Sequence, residues 1–225
     1  MEFDRRRMLR AGLAGAGGLV LSSPLLARRQ DAMQFREVGS PPVRVHRGPA
    51  TPTPQGVNPA LIERARAALD RHAGQVRHRD SVGIVDFDKH SSEKRFHLVH
   101  MASGTVESFY TTHGRGSDRG HTGYLQKFSN TVNSLATSSG AYVTANQYRG
   151  KYGLSMKLHG LDFSNSNAWD RAIVMHPAWY AEADMVRKHG KLGRSEGCFA
   201  FGQRDHWLLL NRLGDGRLIY ADKLA

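Results

Sequence analysis

The segment Gly190-Lys-Leu-Gly-Arg-Ser-Glu-Gly-Cys-Phe-Ala-Phe201 carries the sharpest chemistry in the chain. Cys198 is the one cysteine among 225 residues, so it has no intrachain disulfide partner and no second thiolate with which to hold zinc. A solitary cysteine serves either as a small buried hydrophobe or as a nucleophile. Gly197 lets the backbone bend just before it, and a thiol on such a turn can be reached from outside with backbone N–H groups nearby to receive an oxyanion. A nucleophilic thiol also needs a base, most often an imidazole. His176 closes the apolar run Ala172-Ile-Val-Met-His176, and the end of a strand would aim it at a cleft. A half-buried structural histidine near a turn is the alternative.

Other ionisable residues have weaker claims. Arg194 and Ser195 flank the turn, and Arg194 could grip a substrate carboxylate with both arms of its guanidinium or pair with a surface acid. His189 is a second candidate base, but it stands at the end of a helical pattern before Gly190, where a positive charge complements the helix dipole. His113 lies in a Gly-rich loop and either lines the cleft or is structural. His97, His100 and His159 fall on strand patterns as packing or surface groups. Among the 12 histidines there is no His-Glu-x-x-His or His-x-His spacing, so neither a metal site nor a cofactor is expected.

Ser195-Glu-Gly-Cys198, preceded by Ile173-Val-Met-His176, resembles the catalytic motif of the L,D-transpeptidases (YkuD-type): a His, a spacer, then Ser/Thr-His-Gly-Cys. The chain departs from that pattern at Glu196, where many members carry His, and in the 21 residues between His176 and Cys198. Both departures are similar to the branch known as murein L,D-transpeptidase catalytic domain proteins. So are Gly193–Cys198 and the stretches His113–Asp118, Tyr152–Leu161 and Arg171–His176; the resemblance runs over about residues 81–221. It implies that Cys198 is the nucleophile and His176 the base and acid, oriented by a backbone carbonyl. It also implies that Gly197, Cys198, Ser195 and Arg194 shape an oxyanion and substrate site, to which His113 is added from its place in the Gly-rich loop. The implied reaction is acyl transfer on peptidoglycan stem peptides through a thioester on Cys198. Two other functions stay open: a carboxypeptidase or endopeptidase using the same site, and a non-catalytic wall-binding module, which Glu196 beside the thiol favours.

Elements must position these groups. Asn58, Pro59 and Gly74 bracket a helix with Leu61, Ile62, Ala65, Leu69 and Ala73 on one face. Strand patterns follow at Ser81–Phe87, Arg95–Met101, Thr105–Thr112, Ala141–Ala145, Leu154–Leu158, Ala172–His176 and Leu218–Ala221. Helices are predicted over Ala178–Lys188 and Arg204–Leu213. The class is α+β and β-rich; the resemblance makes it an L,D-transpeptidase-like mixed β-sandwich with short helices. The predicted organisation is a twin-arginine-type signal segment at 1–32, a Pro/Arg-rich linker at 33–58, a packing helix at 59–79 and the catalytic domain at 80–225.

The leader reading rests on Arg5, Arg6, Arg7, Met8, Leu9 and Arg10, which resemble a twin-arginine export signal. Ala11–Leu26, with four glycines, is too short and too Gly-rich for a span of ~20 apolar residues, so no stable membrane span is expected after processing. The expected location is the periplasm or cell envelope. The formal charge is +12, and loss of residues 1–27 would leave +10. Such a charge suits an anionic surface or polymer. Nucleic acid is not an expected partner, because no zinc-finger spacing, RRM signature or aromatic-studded basic helix occurs.

Overall fold

Helix α1, Pro59–Arg71, begins at the signals the sequence supplies. Asn58 Oδ1 accepts the Ala60 N–H at 3.0 Å and Pro59 fills the first turn, which relieves donors that every helix start leaves unpaired. Its buried stripe is Leu61, Ile62, Ala65, Ala68 and Leu69, the spacing of one helix face. The computed structural model describes residues 54–224. The expected signal segment 1–32 and the linker as far as residue 53 lie outside the described residues.

After α1 come β1 (His78–Asp86), β2 (Phe96–His100), β3 (Val106–Phe109), β4 (Gly140–Gly150), β5 (Gly153–Gly160), β6 (Val174–Pro177), α2 (Ala183–His189), β7 (Phe199–Phe201), α3 (Gln203–Leu213) and β8 (Arg217–Asp222). Among the described residues the strands form an eight-stranded sheet in the order β3-β2-β1-β8-β4-β5-β6-β7. The pairs β1–β8 and β6–β7 are parallel and the rest antiparallel. The mixed, β-rich fold with short helices is therefore as expected.

Alternation along the strands builds two apolar layers. Val82, Ile84, Ala141, Val143, Leu218 and Tyr220 face α1. Phe96, Leu98, Tyr142, Ile219 and Ala221 face the other way, into the main core. There the two ends of the sheet meet: the Phe96 ring of β2 packs edge-on to Phe201 of β7 at 5.1 Å, and Phe87 stacks on Phe199 at 6.3 Å. The sheet thus curls over itself like a sandwich. Gly83 admits this packing, since a Cβ there would stand 2.7 Å from the Phe96 ring. Leu209, Leu210 and Leu213 of α3 close the layer.

Two expectations are corrected and one strand is new. The helix over Ala178–Lys188 is split into a 3-10 turn at Trp179–Ala181 and α2, because Glu182 between them is extended (ψ 149°). Its carboxylate is drawn instead to the N–H of Gln203 at 2.7 Å, at the start of α3. The strand over Ala172–His176 begins only at Val174, since Ala172 has φ 51°. Strand β7 has no counterpart in the sequence reading; three residues are too few for a periodic signal.

Candidate active site

The parallel pairing of β6 with β7 sets His176 opposite Ala200 and Met175 opposite Phe199. Cys198 stands one residue before β7. With alternation, Met175, Phe199 and Phe201 point into the core, while His176 and Cys198 fall on the opposite face of the same strand pair. Both line one cleft of about 380 Å³. Sheet register, across 21 intervening residues, brings the two together.

The turn that presents the thiol requires glycine. Gly197 has φ 119°, and a Cβ there would lie 2.7 Å from the Ala136 carbonyl oxygen and 2.8 Å from Ile173 Cδ1. Ser195 is buried, and its hydroxyl donates to the Cys198 carbonyl at 2.7 Å while accepting the Gly197 N–H at 3.2 Å. The expected oxyanion role of the Gly197 amide therefore meets a donor already committed to Ser195. The loop following β3 holds the turn from the other side. Ser195 N–H donates to the His113 carbonyl, Arg115 N–H donates to the Ser195 carbonyl, and Gly114 bridges to Ser195.

His176 is buried, and its Nδ1–H donates to the Pro177 carbonyl at 3.0 Å. That fixes the tautomer and leaves Nε2 as the free acceptor. The Tyr152 ring stacks on the imidazole at 4.4 Å. Burial holds the His176 pKa below the usual histidine value, against the opposing pull of the Pro177 hydrogen bond. Cys198 is half-buried, and its thiol donates to the Ala172 carbonyl at 3.5 Å. Burial is the main cause that pushes this thiol up to about 11; Glu196 adds to it, while the Val174 N–H and Arg171 oppose it. At neutral pH the pair therefore rests as thiol and neutral imidazole.

Arg194 reaches the cleft and is anchored through Nη1 to the carbonyls of Asp118 and Arg119. Glu196 is exposed and pairs with Arg115 across the cleft mouth at 2.7 Å. His113 is not brought to the cleft. It is buried between Arg95, whose Nη2–H reaches its Nδ1 at 2.9 Å, and Asp118, 3.3 Å from its Nε2. Burial and then the Arg95 charge lower its pKa to about 3. Expected among the substrate-binding groups, His113 instead stiffens the loop that braces Ser195. His189 lies outside the cleft, beside Trp179 and Lys188.

Sequence reasoning assigned no role to Tyr152, Tyr180, Arg115, Arg171 or Ala172, all of which line the cleft. Arg171 donates to the Ser129 carbonyl at 2.7 Å and the Ser138 hydroxyl at 2.6 Å, tying the 129–138 loop to the cleft wall. The available signal was segmental: Arg115, Tyr152, Arg171 and Ala172 fall in the stretches that resembled the family.

The family described as the L,D-transpeptidase catalytic domain matches residues 53–221. Among solved structures, an L,D-transpeptidase from Mycobacterium smegmatis is 12% identical, with 64% of this chain and 58% of that one covered and a TM-score of 0.39. An L,D-transpeptidase from Mycobacterium tuberculosis H37Rv is 14% identical, with 64% and 57% covered and a TM-score of 0.37. The helical cell shape determining protein Pgp2 from Campylobacter jejuni is 10% identical, with 64% and 48% covered and a TM-score of 0.41. This chain thus spans less than two thirds of the length of each. No curated protein matches the sequence.

Proposed function

We propose, from the premise that the chain belongs to the L,D-transpeptidase catalytic domain family, that it is a cysteine acyltransferase acting on peptidoglycan stem peptides. The observation that carries this is the shared cleft of Cys198 and His176, with His176 Nδ1 held by the Pro177 carbonyl and Nε2 left free.

In the reaction, the thiol proton leaves the Ala172 carbonyl and passes to His176 Nε2. A neutral imidazole of lowered pKa is a weak base, so transfer runs together with attack on the carbonyl carbon. The sulfur–carbon bond forms, negative charge collects on the carbonyl oxygen, and the amide carbon–nitrogen bond then breaks as that charge returns. The terminal D-amino acid departs with the proton from the imidazolium. A thioester remains on Cys198. The side-chain amine of a second stem attacks it, loses its proton to His176 and regenerates the thiol. The preference for an L-centre at the donor carbonyl comes from the family. Arg115 and Arg194 give the cleft a positive mouth suited to stem carboxylates. The twin-arginine-like segment supports export, and with it work in the cell envelope.

A second reading, a non-catalytic wall-binding module, draws on the thiol pushed up to about 11. Incubation with tetrapeptide stems and separation of the products decides between them. Cross-linked dimers are expected from the wild type and from His189→Ala, and none from Cys198→Ser or His176→Ala. Shortened monomers alone would mean hydrolysis by the same site. Unaltered stems together with binding to sacculi would hand the case to the binding module.

A further inference from the structure

Beside the cleft lies a second groove of about 370 Å³, and no charged residue lines it. In a chain of formal charge +12, that is a distinct chemistry. The cleft has arginines and Glu196 at its mouth, whereas the groove offers hydroxyls, amides and aromatic rings. Phe163 is among the lining residues and is 96% exposed, so its ring face is open to a ligand. Asn130 braces both walls: its Nδ2 donates to the Phe163 carbonyl and the Ser166 hydroxyl at 3.0 Å each, and its Oδ1 accepts the Asn167 N–H at 3.1 Å. Among the described residues, the hydroxyls of Thr131 and Ser139 and the side-chain carbonyl of Asn167 take part in no side-chain hydrogen bond and remain free for a ligand. Arg171 joins the two sites, since it lines the cleft and also bonds the carbonyl of Ser129, which lines the groove.

The geometry points to a saccharide subsite: the groove takes a neutral, N-acetylated sugar of the glycan strand while the cleft takes the stem peptide attached to it. This rests on the peptidoglycan reading of the cleft and adds the other half of the polymer. The exposed face of Phe163 covers the apolar C–H face of a pyranose. The Asn167 carbonyl accepts an acetamido N–H, and the Thr131 and Ser139 hydroxyls meet ring hydroxyls. An uncharged groove disfavours phosphate and carboxylate ligands, which seek cationic donors.

The test uses the full chain carrying Cys198→Ser, so that binding is read without turnover. Glycan strands stripped of their stem peptides are titrated calorimetrically against this protein and against the same protein carrying Phe163→Ala or Thr131→Val. The expected result is binding that weakens about tenfold on loss of the ring and less on loss of the hydroxyl. With Cys198 intact, Phe163→Ala should raise KM for stems on glycan strands and leave KM for free tetrapeptide unchanged. No binding of stripped strands, or equal binding by all three proteins, overturns the subsite. Because this readout does not depend on acyl transfer, a failure of the transpeptidase reading shows separately in the stem-peptide assay. Phe163 is a surface ring, so its loss leaves the fold intact.

Discussion

At the scale of single residues, Glu196 sets the temper of the site. Its carboxylate adds to the burial that raises the Cys198 thiol, and its own pairing with Arg115 is a surface contact with both partners more than half exposed. Surface pairs of this kind are worth ~0–1 kcal/mol. Glu196→Gln should therefore leave thermal stability almost unmoved while lowering the thiol pKa. Alkylation of Cys198 by iodoacetamide at pH 8 should run roughly 2- to 5-fold faster, because more of the sulfur is then thiolate. An unchanged rate would show that the sulfur does not feel this charge. The motif announced Cys198, Gly197 and Ser195, and the strand-end position announced His176. Tyr152 fell within a stretch that resembles the family, but its stacking on the imidazole was illegible, because that depends on where the β4–β5 turn and β6 bring two rings.

At the scale of elements, the thiol turn is held by backbone as much as by side chains. The left-handed φ of Gly197 and the 2.7 Å approach of the Ala136 oxygen leave no room for a methyl group. Gly197→Ala should destabilise the protein by ~1–3 kcal/mol, read as a fall in Tm of roughly 2–4 °C per kcal/mol for a chain of this size. It should also abolish labelling of Cys198 by an acylating agent. A folded variant with normal labelling would mean that the turn tolerates another path. His113 belongs to this scale as well. The sequence placed it in a Gly-rich loop and left open whether it faced the cleft. Packing against Arg95 and Asp118 settled that it faces inward, because both of its ring nitrogens find partners there.

At the scale of the whole molecule, three histidines besides His176 are buried in the neutral form. Burial lowers His97 to about 4, with Lys89 adding to the effect. It likewise lowers His113 to about 3 and His206 to about 4. In the unfolded chain each would titrate near 6.5. Between that value and the folded one, the unfolded state binds the proton and the folded state does not. Stability is therefore fully present above pH ~6.5 and is lost as the pH falls toward 4, at up to roughly 4 kcal/mol per pH unit for three such groups. Thermal melts from pH 7.5 to 4.5 should show Tm falling steeply below 6.5. A flat profile would mean that these rings are protonated inside the fold.

The sequence alone singled out the candidate reactive atoms. A single thiol after glycine, a histidine closing an apolar run, the start of α1 and the α+β class all follow from short-range rules: turn geometry, capping and alternation act within a few residues. Only the tertiary structure decided what those atoms face. The parallel β6–β7 register, the Ala172 carbonyl that receives the thiol, the Arg115–Glu196 pair and the uncharged groove beside the cleft all arise from contacts between segments apart in the chain. Such contacts form when an eight-stranded sheet curls over its own core, and their energies depend on packing that no local pattern carries.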